Sequence, residues 1–157
     1  LDGVTGVQTC ALPISLARTA LYAQGEDLHI ALWPGNVYNT ADITRFVARE
    51  GRSYVMSVSS VLRRADIPES MPHYDVLMAS LPDVMANGGS CIASPDGVWL
   101  RELVLHDECL VIADIDHARV REERQNFDAT GHYGRPDVLQ LTVDRTRQTT
   151  ATFRDNA

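Results

Sequence analysis

Asn87-Gly88-Gly89-Ser90-Cys91-Ile92-Ala93-Ser94-Pro95-Asp96-Gly97-Val98-Trp99-Leu100 is the stretch from which the fold is read. Residues 90–93 and 98–100 are short apolar runs on either side of Pro95-Asp96-Gly97, a turn sequence, so the stretch predicts a β-hairpin. Gly88-Gly89 predicts a tight backbone bend. A phosphate cradle would need a flanking strand, a Lys and a Ser or Thr in register, and these are missing.

Working outward toward the N-terminus, Leu16, Ala17, Ala20, Leu21 and Ala23 form a helical stripe that Gly25 can end in a left-handed cap. Residues 28–32 predict an apolar strand stopped by Pro34 and Gly35. Thr40 or Asp42 can cap a second helix carrying Ile43, Phe46, Val47 and Glu50 and ending at Gly51. Residues 54–58 predict the next strand, 63–74 a loop, and 76–85 an ambiguous helix broken by Pro82. Toward the C-terminus, 109–115 predicts the last core strand, 117–125 a polar helix, and 138–143 an edge or interface strand. From Arg145 the chain reads as a polar, mobile tail. Alternating helices and strands with short joints predict an α/β fold.

At 157 residues the chain is long enough for one domain. Its net charge of −7 argues against a nucleic-acid or anionic-membrane partner. No apolar run approaches the roughly 20 residues of a membrane helix, and the N-terminus lacks the pattern of a secretory signal. Three Cys without metal-type spacing predict a reduced, cytoplasmic setting. All 14 basic residues are Arg and none is Lys, which excludes any mechanism requiring a side-chain amine in this chain.

The hairpin stretch, followed by Arg121-Glu122-Glu123-Arg124-Gln125-Asn126-Phe127-Asp128 and Gly131-His132-Tyr133-Gly134-Arg135-Pro136-Asp137-Val138, resembles the nitrilase branch of the carbon-nitrogen hydrolase superfamily. Leu16-Ala17-Arg18, Tyr22-Ala23-Gln24-Gly25-Glu26, His29, Trp33-Pro34 and Ala48-Arg49-Glu50-Gly51 extend the resemblance over residues 16–143 in collinear order. The resemblance implies a four-layer α-β-β-α sandwich, of which this chain is the C-terminal half. It also implies hydrolysis of a nitrile to a carboxylic acid and ammonia. A Cys thiolate attacks to give a thioimidate and then a thioester, with a Glu as general base and a Lys meeting the charge on nitrogen. A nitrile is a weak electrophile, so both an ionised thiol and a fixed cation are needed. No metal or organic cofactor is implied.

In that family the nucleophile stands seven residues before the Leu of Leu-Ala-Arg. Cys10 stands six before Leu16 and is followed by Ala11-Leu12-Pro13-Ile14-Ser15. A slip of one position turns a side chain by about 100° on a helix. Residues 4–14 resemble the translation of a sequencing-library adapter, so Cys10 is read as incidental. Residues 1–15 are then a non-native leader, 16–118 the hydrolase portion, 119–144 a C-terminal arm and 145–157 the tail. No residue is assigned a catalytic role, and this chain alone is expected to be inactive. Trp33 and Pro34 are the expected substrate wall. Arg124, Tyr133 and Arg135 are expected at a contact between subunits of a homo-oligomer, Tyr and Arg being enriched at interfaces. Cys91 and Cys109 are read as small core thiols and His29 as a hydrogen-bonded structural residue. The remaining His show no metal-ligand spacing, and His106-Asp107-Glu108 is read as a solvated turn. Two alternatives stay open: a cyanide-degrading or amidase relative, and a non-catalytic assembly module.

Overall fold

The computed structural model describes residues 15–146. Cys10, the rest of residues 1–14, and residues 147–157 of the tail lie outside them.

One mixed sheet organises the chain. Strand β1 (Leu28–Trp33) runs parallel to β2 (Tyr54–Ser59), with Leu28 opposite Tyr54 and Trp33 opposite Ser59. Strand β4 (Val84–Ala93) is antiparallel to β2 through Ser57 and Cys91, and antiparallel to the short β3 (Val61–Arg63) through Val61 and Asn87. The other edge of β4 carries β5 (Trp99–Leu105). β2 and β3 thus follow one edge of β4 in succession, and the Gly88 amide bonds the Ser60 carbonyl between them at 3.1 Å.

Side-chain alternation then decides which face is covered. Helix α2 (Val37–Gly51) lies on the face shared by Ala31, Val55 and Ala93, and Val47 and Ala48 close a small core with them. Trp33, Ile43 and Trp99 pack around its rim. Leu28, Ile30, Leu32 and Met56 point to the other face and are only half-buried, while Val58 is exposed. Helix α1 (Ser15–Tyr22) joins α2 through Arg18 and Tyr22, which both reach the Glu50 carboxylate. Burial, then the neighbouring Glu50 charge, pushes the Tyr22 hydroxyl well above the ordinary tyrosine range, so it serves as a donor.

Several details depart from the sequence reading. α2 begins a turn before Thr40, because Asn36 Oδ1 accepts from the Tyr38 amide at 2.9 Å and caps the helix earlier. Its buried stripe is Thr40, Thr44, Val47, Ala48 and Gly51, whereas Phe46 is exposed. In α1 the inward face is Arg18, Leu21 and Tyr22, and Leu16 is exposed, because the helix docks through its pair with Glu50. The ambiguous segment splits at Pro82: α3 (Tyr74–Ser80) stops at Leu81, the residue before proline, and Val84 and Met85 already belong to β4. A 3-10 turn, Arg64–Asp66, occupies part of the expected loop.

Two expected strands are not formed. Residues 109–115 pair with no strand among the described residues; Leu110 is 83% exposed, and the Ile112 carbonyl accepts instead from Arg101 Nε at 2.6 Å. Cys109 is consequently exposed rather than a core thiol. Residues 138–143 likewise lack a ladder and leave Leu139 exposed. Apolar alternation makes a strand only where a ladder actually forms, and among the described residues neither segment joins the open edges of β1 or β5.

Candidate functional site

The two ends of the sheet differ in chemistry. Both parallel strands finish at the end formed by Trp33, Pro34, Ser59 and Ser60, where α/β folds characteristically place ligands. Pro34 is exposed, and its carbonyl accepts from the Ser60 hydroxyl. Trp33 is half-buried, and its Nε1 donates to Ser57 Oγ at 3.2 Å. Ser57 in turn meets Thr44 Oγ1 at 2.6 Å, and Thr44 bonds the Thr40 carbonyl at 2.6 Å. The indole is therefore held by a buried polar chain rooted in α2.

Asn87 completes this end. Its Oδ1 accepts from the Val37 amide at 3.2 Å, and its carbonyl accepts from the His106 amide at 2.9 Å, joining the start of α2 to the end of β5. The double glycine explains how the backbone reaches this position. Gly88 and Gly89 have φ of 89° and 111°, β4 shifts register between Gly88 and Ser90, and a Cβ on Gly89 would lie 2.8 Å from Thr40 Oγ1. The expected bend is thus a bulge inside a ten-residue strand. Beyond it, His106, Asp107 and Glu108 are exposed; Arg63 bonds the His106 carbonyl at 2.7 Å.

Of the two described cysteines, one is buried and one is exposed. Cys91 is buried on β4, and burial pushes its thiol up despite contacts with Thr44 and Ser57, which disfavours the thiolate. Cys109 is exposed in the unpaired segment. Among the described residues no three His, Cys, Asp or Glu gather as a metal site, and no helix is long and apolar enough to cross a membrane.

The opposite end is held by ion pairs. Helix α4 (His117–Asn126) buries Val120 and Glu123 against it. Arg52 pairs with Glu123 at 2.8 Å, Arg119 with Asp96 at 3.1 Å, and Arg124 with Asp27 at 3.4 Å while also donating to the Glu26 carbonyl. His29, buried, contacts Glu26 at 2.9 Å, the hydrogen-bonded role expected of it. Tyr54 receives the Asp116 amide at 3.1 Å beside the helix cap. Arg124 is thus engaged within its own chain. Tyr133 remains exposed, with its ring 5.0 Å from Phe127, and Arg135 is exposed and forks onto Asp137 at 2.8 and 2.6 Å.

Burial alone would raise the Asp96 carboxyl, but the Ser94 hydroxyl, the Val98 amide and Arg119 outweigh it and hold it below the usual aspartate range. A carboxyl depressed on folding stabilises the fold above its unfolded pKa, and the contribution disappears as pH falls through the folded value. Denaturation midpoints are therefore expected to fall as pH drops below about 4, the ordinary aspartate value. Asp96→Asn should flatten that part of the profile, and an identical profile in the variant would refute the assignment.

Comparison with solved structures places this architecture. The C. elegans NitFhit protein matches with a TM-score of 0.59 at 18% identity, over 92% of this chain and 32% of that one. Saccharomyces cerevisiae Nit3, a member of branch 10 of the nitrilase superfamily, matches with a TM-score of 0.51 at 16% identity, over 80% and 41%. The fold is that of the nitrilase superfamily, an α/β sandwich of which this sheet and its helices are part. No family model matches the chain. Sequence relatives are closer: the aliphatic nitrilase of Sinorhizobium fredii (strain HH103) is 36% identical over 130 residues, 82% of this chain and 41% of its own length. Nitrilase 2 of Arabidopsis thaliana is 35% identical over 88% of this chain and 42% of its own. The bifunctional nitrilase/nitrile hydratase NIT4A of Lupinus angustifolius is 33% identical over 82% and 38%. The chain belongs to the nitrilase branch of the carbon-nitrogen hydrolase superfamily, and it spans about two fifths of the length of the curated relatives it matches.

Proposed function

We propose that the chain is the C-terminal half of a nitrilase whose parent converts a nitrile to a carboxylic acid and ammonia, and that it is inactive on its own. One observation carries the reading: a chain of nitrilase sequence has no Lys at all. The parent reaction needs a thiolate to add to the nitrile carbon and a cation to receive charge on nitrogen. Guanidinium groups are present, but Arg45 is tied to Gly97, Arg52 to Glu123, and Arg63 to Glu108 and the His106 carbonyl. In the parent, half-buried Trp33 and exposed Pro34 form part of the wall of the nitrile pocket, and the second sheet covers the Ile30, Leu32 and Met56 face. Exposed Tyr133 and Arg135 supply a contact between subunits of a homo-oligomer, to which Arg124 contributes by fixing α4. The name of the lupin relative, nitrilase/nitrile hydratase, favours keeping the amide as a second product of the parent.

The test is ammonia release from a nitrile by the purified 157-residue chain, in parallel with the same chain joined to the upstream half of a nitrilase. Background-level ammonia from the first and turnover from the second are expected. Turnover by the chain alone that Cys10→Ala abolishes would overturn the reading.

A further inference from the structure

The outer face of α2 carries a feature that nitrile hydrolysis does not use. Arg45 and Arg49 lie one turn apart on the same side of the helix, and Arg52 is the left-handed residue that caps its end. With Phe46 and Phe127, and with Asp42 and Glu50, they line an open cleft of about 570 Å3. This volume falls within the range of roughly 300–1,000 Å3 typical of small-molecule sites.

Two of the three cationic groups are already engaged. Arg45 Nε donates to the Gly97 carbonyl at 2.9 Å, and its guanidinium stands 5.7 Å from the Trp99 ring centre. Arg52 donates to Glu123 at 2.8 Å and lies 5.4 Å from the Phe127 ring centre. The Arg49 stem passes over Gly97 so closely that a Cβ there would sit 2.4 Å from its Cγ. Among the described residues nothing hydrogen-bonds or ion-pairs with the Arg49 guanidinium. Of the two carboxylates, Glu50 is already engaged by Arg18 at 3.3 Å and by the Tyr22 hydroxyl at 3.0 Å. The cleft therefore combines two aromatic walls, each with one face under a guanidinium (Arg18 over Phe46 at 5.7 Å, Arg52 over Phe127), with an Arg49 guanidinium free to make a two-pronged bond.

We propose that this cleft binds an aromatic carboxylate, with Arg49 taking the carboxylate in a bidentate pair and Phe46 and Phe127 flanking the ring. A guanidinium fork matches carboxylate geometry, and phenyl faces accept a flat apolar body. The chain's overall charge of −7 opposes anions at long range. Screening over about 8 Å at physiological ionic strength confines that repulsion, so contact chemistry decides binding.

The experiment titrates benzoate into the isotope-labelled 157-residue chain and follows the arginine Nε–H signals of α2 and the Phe127 amide. Benzamide, of similar shape and uncharged, is the control. Saturable shifts confined to these groups are expected, with benzamide and Arg49→Gln each weakening binding by about tenfold, as loss of a charge-assisted pair implies. Arg49 is exposed, so an unchanged denaturation midpoint for Arg49→Gln establishes that the variant is folded. The proposal is overturned by an absence of saturable shifts, by equal affinity for benzamide, or by unaltered binding in Arg49→Gln. It is also overturned if sedimentation shows a second copy of the chain covering these residues that benzoate does not displace.

Discussion

Replacing Gly35 by alanine is expected to cost the fold about 4 kcal/mol and to lower its urea midpoint sharply. Gly35 has a φ of 107°, outside the regions L-residues favour. A Cβ there would lie 2.0 Å from the Ser60 carbonyl oxygen and 2.9 Å from the Ala86 Cβ. Because Ser60 bridges β2 and β3, the clash falls on backbone rather than on a flexible side chain. Backbone strain of about 1–3 kcal/mol and overpacking of about 1–3 kcal/mol together suggest a loss of about 4 kcal/mol, a large share of the stability of a small domain. Gly25→Ala is the control: its φ is 75°, with nothing within 4 Å of the added carbon. It should lose only about 1–2 kcal/mol. Urea midpoints at constant slope measure both losses, and equal losses would show that the Ser60 contact is unimportant.

Val120→Asp is the second large effect. Val120 is fully buried beneath α4. Burying a lone carboxylate there costs about 4 kcal/mol or more, whereas releasing the helix forfeits a valine contact of about 1.5–3 kcal/mol and its partly exposed ion pairs. The helix is therefore expected to detach while the sheet persists. Hydrogen exchange should show the amides of α4 losing protection while those of β1, β2 and β4 retain theirs. Full protection of α4 in the variant would mean that the polar clasp, not Val120, holds the helix.

Residues whose local chemistry is self-sufficient were legible in the sequence. Pro95-Asp96-Gly97 made its turn, Gly25 its cap, Pro82 its break, and Cys91 its place in the core. Residues whose behaviour depends on distant partners were not. The 109–115 segment has the composition of a strand but joins no ladder among the described residues, its Ile112 carbonyl being taken by the Arg101 side chain, so Leu110 and Cys109 stand exposed. The start of α2 lies before the Thr40 or Asp42 cap because Asn36, after the Pro-Gly pair, supplies an ordinary Asn cap. The role of Asn87 rests on the distant Val37 and His106 amides, and its only local signal is an amide side chain placed before two glycines. The gathering of Arg45, Arg49 and Arg52 depends on Gly97 and Phe127 closing over them, which the sequence could not show.

The clasp on α4 also bears on the order in which the molecule assembles. Arg124 reaches back 98 positions to Glu26, and Glu123 lies 71 positions from Arg52. At translation speeds of roughly 5–20 residues per second, Glu26 would wait roughly 5–20 s for its partner to be synthesised. Until then the start of β1 has no lid, and a nascent chain halted before Arg124 should show a readily cleaved junction that vanishes once α4 leaves the ribosome.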